Sequence, residues 1–545
     1  MPELERPMKW WGWGDADHRA SIPEPALAAL RSELGAGDRH VPVPSLEQIA
    51  LPDTALGKKV RTALADAVGE AWVRDDRLTR VTHAAGKSYP DLLKMRSGSL
   101  ECAPDSVVYP ANAAEVRTVL DACAEAGVAV VPFGGGTSVV GGVEPLRDGH
   151  EAVVSLDLGR IAHLHTVDKR SLTAVLGAGL RGPAVESGLA AHGLTLGHYP
   201  QSWEFATVGG WVATRSAGQA STGYGAIDKV VSGLRCVAPD GDIALAPIPA
   251  TAAGPGLRQL LVGSEGLFGV ITEATLKVRP VPEVQRYEGW MFHDFEEGAD
   301  AFRALEQRHV IPEVARLSDP HETRLSMTLS DDGSLQRRLG RRYIGARGYD
   351  GGCIAILGFE GERRDVDVRR ARAGRILRRA GGLSIGTGPG RAWKHGRFEG
   401  PYLRDALLDR GVMAETLETA APWSGLLGLY RAVGDAIRSA LEARGTPGLV
   451  MCHISHLYPD GASLYYTFIA PQQLGQEMDQ WRAVKFAACD AIVANGGTIT
   501  HHHAIGRDHA PWMPREIGDT GIDALRAVKE RLDPAGILNP GKVLP

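Results

Sequence analysis

The chain has 545 residues, enough at roughly 150 residues per domain for two or three domains. With 23% charged residues, 44% from the AVILMFWYC set and a net charge of −5, it is neither a disordered nor a fibrous chain. Sixty Lys and Arg against 65 Asp and Glu exclude a long-range attraction of the whole chain for nucleic acid, and no nucleic-acid partner is expected.

Residues 1–100 read as an N-terminal extension of helices and loops, with Trp10, Trp11 and Trp13 crowded into one stretch. The first residues mix acid and base and lack the apolar run of a secretory signal, and no stretch reaches the ~18 apolar residues of a membrane span. Cys102, Cys123, Cys236, Cys353, Cys452 and Cys489 form no CxxC pair, the pattern of reduced thiols, so a cytoplasmic location is expected. From Asp105 the pattern changes. Val107, Val108 and Tyr109 form an apolar run, Asn112 is placed to cap a helix, and Val116, Val119, Leu120 and Cys123 recur at helical spacing. A second apolar run spans 127–131, so 105–138 reads strand, helix, strand and Gly-rich loop, a βαβ-like unit. Further strands are expected at 152–156, 172–176 and 270–278, with a helix opened by Pro183. Pro280 and Pro282 mark a boundary near 280. Beyond it, strand-like runs at 353–357 and 463–470 alternate with Arg-rich helical stretches such as Arg363–Arg379, read as a solvated face rather than a membrane-surface or anionic-partner face.

Glycine fills 67 of 545 positions, about 12% against a usual ~7%, and it clusters. PFGGGTS (132–138) sets three glycines after an apolar strand, where their N–H groups can face a phosphate oxygen. It is neither a Walker loop nor GxGxxG, and a lone GGG is more often a turn. Two more small-residue blocks follow, QSWEFATVGGWVATRSAG (201–218) and GSEGLFGVITEA (263–274).

Past residue 280 come the polar candidates. His501, His502 and His503 are consecutive; if extended, they alternate sides, so one functional imidazole with two structural neighbours is expected. Tyr465 and Tyr466 read as strand alternation or as a phenol able to donate a proton. Cys452, His453 and His456 match no structural zinc spacing, and no metal is expected. Arg404 in PYLRDALLDRG and Arg316 in VARLSDP suit a phosphate or carboxylate, or else surface ion pairs.

Taken in order, MKWWGWGD (8–15), GHYPQSWEFATVGGWVATRSAG (197–218), GSEGLFGVITEATLKVRP (263–280) and THHHAIG (500–506) resemble the vanillyl-alcohol-oxidase superfamily of FAD proteins, and within it the alkyldihydroxyacetonephosphate synthase family. The resemblance covers nearly the whole chain. It implies an α+β fold: an N-terminal helical extension (1–100), a two-part FAD-binding domain (101–280), an α+β substrate or cap domain (281–500) and a C-terminal segment (501–545) returning to the FAD domain. FAD contacts carry over to Pro132, Phe133, Gly134, Gly135, Gly136, Thr137 and Ser138; to Gln201, Ser202, Glu204, Phe205, Ala206 and Thr207; to Gly210, Ala213, Thr214, Arg215 and Ser216; and to Glu265, Gly266, Leu267, Gly269, Val270 and Ile271. Thr137 stands where covalent relatives have a histidine, so dissociable, non-covalent FAD is expected.

The same resemblance makes His502 catalytic, between His501 and His503, and assigns active-site roles to Tyr465, Arg404 and Arg316. It implies exchange of the acyl chain of acyl-dihydroxyacetone phosphate for a long-chain fatty alcohol through a flavin N5 adduct, with peripheral membrane contact and a homodimer. The alternative is an FAD-dependent D-2-hydroxy-acid dehydrogenase or oxidase. Those relatives carry Gly-Glu-His here, and the absence of glutamate at His502 speaks against it. A flavin-binding protein without turnover would tolerate loss of Arg404, Tyr465 and His502, which are all present.

Overall fold

A computed structural model describes residues 7–18, 20–329 and 334–545, without the side chains of Gln336 and Arg337; residues 1–6, which entered the reading of the N-terminus, lie outside the described residues. The fold is α+β, as the sequence predicts. Asn112 caps the helix Ala113–Ala126 by accepting from Glu115 N–H at 3.0 Å, and Gly127 ends it in the left-handed region at φ 63°. Val116, Val119, Leu120 and Cys123 are buried, each aliphatic side chain stabilising by at most about 1.5–3 kcal/mol.

The flanking strands Ser106–Val108 and Ala129–Phe133 are not neighbours. Val153–Asp157 lies between them, parallel to both, so the βαβ-like unit is split by a strand arriving later in the chain. The sheet also draws on the segment read as an extension, because Val73–Arg74 pairs antiparallel with Val107 and Val108. Its other edge is met by the end of the chain: Val130 N–H donates to Ile537 O at 2.8 Å, and Asn539 N–H donates to Val130 O at 2.8 Å.

A five-stranded antiparallel sheet follows, in the order Leu164–Asp168, Thr173–Gly177, Val270–Lys277, Val231–Ala238, Gly241–Leu245. The third layer is a seven-stranded antiparallel sheet, in the order Leu383–Gly386, Val284–Phe292, Cys353–Gly361, Val314–Ser318, Leu449–Leu457, Gly461–Pro471, Val412–Pro422. One face of it is apolar and buried under the helices Phe295–Gln307, Arg363–Arg379, Trp423–Ala443 and Glu477–Ala494. The Arg-rich helix buries Val366, Ile376 and Leu377 and pairs its outer arginines locally, Arg369 with Glu313 at 2.9 Å and Arg370 with Glu288 at 2.6 Å. The opposite face of the sheet turns to the flavin domain.

Candidate functional site

That face forms one wall of a cavity of about 1710 Å³, whose other wall includes the loop after Ala129–Phe133. Gly134, Gly135, Gly136, Thr137 and Ser138 line it, as do Gln201, Ser202, Ala206, Thr207, Gly210, Thr214 and Ser216. Only glycine fits at two of these positions. A Cβ on Gly134 would overlap the Thr207 hydroxyl, and one on Gly135 the Phe205 carbonyl oxygen, while Gly136 sits at φ 64°. The wall is therefore bare backbone. Beside it, Trp211 Nε1 and Gln219 Oε1 are buried without a partner. Small residues, open N–H groups and orphaned polar atoms fit the flavin cofactor that the resemblance implies.

Other residues of the flavin list lie outside this cavity. Glu204 accepts from Tyr402 OH at 3.3 Å, Phe205 packs with Met8, Trp13 and Tyr402, and Arg215 donates to Val262 O at 2.9 Å. Leu267, Val270 and Ile271 are core, and Gly266 and Gly269, both at positive φ, lie against Pro132 and Cys236. Phe133 lies tilted against His83, ring centroids 4.4 Å apart, and the partly buried Ala213 packs against the core beneath. Glu265, at φ 51°, spends its carboxylate on Ile505 N–H at 2.7 Å and Gly506 N–H at 2.9 Å; burial pushes it up to about 7. Their side chains brace the cradle from behind, because sequence blocks alternate between facing the cavity and packing under it.

On the cap sheet the cavity face is laid out in rows. Ala414, Ile469 and Leu449 are cross-strand partners and apolar; Thr416, Thr467 and Met451 form the next row; Glu418, Tyr465, His453 and Ser318 the polar one. Tyr465 therefore faces the cavity, and burial raises its phenol to about 12. Tyr466 faces the core, its hydroxyl donating to Tyr430 O at 3.0 Å. The rows end at the histidine triplet.

That triplet is not extended. Residues 501–503 bend around the fully buried Glu418, whose carboxylate accepts His501 N–H at 2.6 Å, His502 N–H at 2.9 Å, His503 N–H at 2.8 Å and the Thr500 hydroxyl at 2.6 Å. A buried anion collects successive backbone donors, and that overrides strand alternation. Burial works against the charge, yet His502, His503 and His501 hold the Glu418 carboxyl well below its usual range. Burial also drives His501 down to about 4 and His503 to about 3. His502 and His503 both line the cavity, and His502 stacks on Tyr465 with ring centroids 6.0 Å apart. His502 Nδ1 lies 2.9 Å from His501 Nδ1, leaving Nε2 for exchange with the cavity, while Tyr458 OH contacts His501 Nε2 at 2.5 Å.

The two arginines differ. Arg316 lines the cavity but is paired with Glu322 at 2.5 Å, which neutralises much of its field. Arg404 is partly buried, donates through Nη1 to Lys87 O at 2.6 Å, and leaves Nε and Nη2 buried without partners, a two-pronged donor for an anion. The KWWGWG segment holds the helix that carries it: Asp405 accepts from Trp13 N–H at 2.6 Å and from Lys9 Nζ at 3.2 Å. Glu418 and Glu322 were absent from the candidates: Glu418 shares its mostly apolar strand with a second acid, Glu415, and nothing in the polar helix Pro320–Leu329 singles out Glu322. His456, His501 and His502 bring one nitrogen each within 4.8 Å of one another. Cys452 points into the core instead, since its strand alternates.

Family models match two stretches: an FAD binding domain over residues 104–245 and the C-terminal domain of FAD linked oxidases over 281–543. The chain is 33% identical to the alkyldihydroxyacetonephosphate synthase of Dictyostelium discoideum, covering 100% of this chain and 94% of that protein. It is also 33% identical to the same synthase of Trypanosoma brucei brucei, covering 99% and 92%. A solved structure of an alkyldihydroxyacetonephosphate synthase superposes with a TM-score of 0.86 at 31% identity, covering 99% of each chain.

Proposed function

The chain belongs to the alkyldihydroxyacetonephosphate synthase family, and from that membership we propose that it exchanges the acyl chain of acyl-dihydroxyacetone phosphate for a long-chain alcohol. FAD is its cofactor. The observation that carries the reading is one continuous cavity, running from the glycine loop past the polar row to an apolar reach lined by Leu30, Leu325, Leu407, Met451 and Ile469.

Oxidised FAD, when bound, supplies an electrophilic ring to the substrate carbon. The chain's own residues supply the rest. Arg404 offers two unpaired N–H groups to the phosphate or the ester oxygens. His502 Nε2 takes the proton from the carbon bearing the ester, and the neighbouring Tyr465, protonated near neutral pH, donates a hydrogen bond to the ketone oxygen. Glu418 fixes the backbone of the triplet, and the apolar reach holds the chain and excludes water.

An anaerobic absorbance titration tests this. Acyl-dihydroxyacetone phosphate should perturb the flavin and release fatty acid, and a fatty alcohol should restore the oxidised spectrum. Reduction by a D-2-hydroxy acid, reversed by an external acceptor, would instead establish the dehydrogenase.

No described helix is long and apolar enough to cross a membrane. Peripheral contact is supported by the helix Leu335–Ala346 at the cavity mouth, none of whose described residues is buried. Leu335, Leu339 and Tyr343, four residues apart, are 70%, 56% and 44% exposed, and Arg338 and Arg342 flank them. A Leu335→Ser/Leu339→Ser variant is expected to sediment with anionic phospholipid vesicles about tenfold less than the parent; equal sedimentation would remove this helix as the docking element. A cytoplasmic location is supported by six unpaired cysteines, and the homodimer by the resemblance alone.

A further inference from the structure

We propose that His453, oriented by Glu322, is the group that accepts the hydroxyl proton of the incoming long-chain alcohol. The proposal rests on the exchange reaction above and adds a second proton acceptor to it.

The rows of the cap sheet place it. Along Leu449–Leu457 the cavity-facing positions read Leu449, Met451, His453, and across the strand pair they meet Ile469, Thr467 and Tyr465. An alkyl chain lying in the reach of Leu30, Leu325, Leu407, Met451 and Ile469 has nowhere to put a polar head within it. The row of Met451 brings the hydroxyls of Thr467 and Thr416, and the next row brings the first ring groups able to take a proton, His453 and Tyr465, their rings stacked at 4.9 Å and 20°. The alcohol hydroxyl therefore arrives at His453 before it reaches His502, which lies on the other side of Tyr465.

Glu322 gives His453 the form of a base. Its Oε2 lies 3.2 Å from His453 Nδ1, while its Oε1 takes Arg316 at 2.5 Å. That proximity faces the carboxylate to Nδ1, with Oε2 not yet in a hydrogen bond, so Nε2 is the nitrogen on the side away from Glu322 and the carboxylate stabilises the imidazolium once a proton arrives. The groups facing this ring are Glu322 and Arg316 from Val314–Ser318 and the following helix, Tyr465 from the adjacent strand, and His502 across the row. Burial and Arg316 lower the imidazole and Glu322 opposes them, so it stands neutral near pH 7 and able to accept. Arg316 and Glu322 thus belong to one device: the arginine holds the carboxylate that holds the histidine.

The chemistry requires such a group. In the net exchange the alcohol O–H bond breaks and its oxygen bonds to the substrate carbon. The bond from that carbon to the acyl oxygen breaks with its electron pair, and the fatty acid leaves as a carboxylate. One proton is left over for each turnover, and it comes from the alcohol. A carboxylate entering in place of the alcohol brings no such proton. Exchange with free fatty acid therefore needs His502 and Arg404 but not His453.

The experiment compares two reactions of the FAD-loaded enzyme. One is incorporation of hexadecanol into alkyl product; the other is exchange of labelled hexadecanoate into acyl-dihydroxyacetone phosphate. For His453→Gln, hexadecanol incorporation is expected to fall about 100-fold, with hexadecanoate exchange and bound flavin within about threefold of the parent. Glu322→Gln should show the same split, more weakly. Equal losses in both reactions, or no loss in either, overturn the proposal. If the parent enzyme performs neither reaction, the exchange function itself fails, an outcome distinct from failure of His453 alone.

Discussion

A Glu418→Gln variant is expected to lose at least ~100-fold in turnover and about 3 kcal/mol in stability. The carboxylate accepts three successive backbone N–H groups and a hydroxyl with no solvent to replace it. A glutamine amide turns one of its two ends into a donor facing donors, so part of the 500–503 backbone is left buried and unpaired. His502 then loses its place beside Tyr465. Steady-state turnover and urea unfolding check this, and near-parental values for both would mean that the carboxylate does not organise the triplet. The pH dependence follows. His501 and His503 titrate near 6.5 when unfolded but at about 4 and 3 when folded, so the unfolded chain binds more protons and stability falls as pH drops below 6.5. The Glu418 contribution is fully present above its unfolded value of 4.5 and is lost only as pH falls through its depressed folded value. Acid destabilisation should therefore come in two stages in the parent, and the variant should lack the lower one.

His502→Ala is expected to reduce turnover by roughly 10²–10⁴-fold while flavin stays bound. The glycine loop that fits the cofactor is on another layer, and the truncation leaves every backbone donor to Glu418 in place. Flavin absorbance at unchanged stoichiometry, together with the rate of fatty-acid release, separates the two roles. A variant with parental rate would remove His502 from the chemistry, and one that came off the column colourless would make it a cofactor residue instead.

The glycine loop, the capped helix Ala113–Ala126 and the helix Arg363–Arg379 were legible because each is local: a cap, a period or a run of small residues states it within a few positions. The partition of Tyr465 and Tyr466 was half legible, since alternation says that they part but not which goes inside. What could not be read depends on distant partners. Nothing near 501–503 announces Glu418, more than eighty residues away, and without it consecutive histidines look like a strand. Val153–Asp157 enters between two strands that the sequence joins through one helix, because pairing order is settled by the whole sheet. Arg316 read as a group for a phosphate or carboxylate or as a surface ion pair, with no partner identified, because Glu322 meets it only once the helix after it folds back.

The last stretch of the chain sets a schedule. Residues 537–539 run along Val130, and Asn539 Nδ2 reaches Glu265 O at 2.6 Å, so the strand that delivers the glycine loop is finished by residues made some four hundred positions later. A ribosome must translate past residue 539 before that edge can close. A chain cut short before residue 537 therefore leaves the Val130 N–H and C=O unpaired at an open edge beside the glycine loop, the kind of edge that invites pairing with another chain.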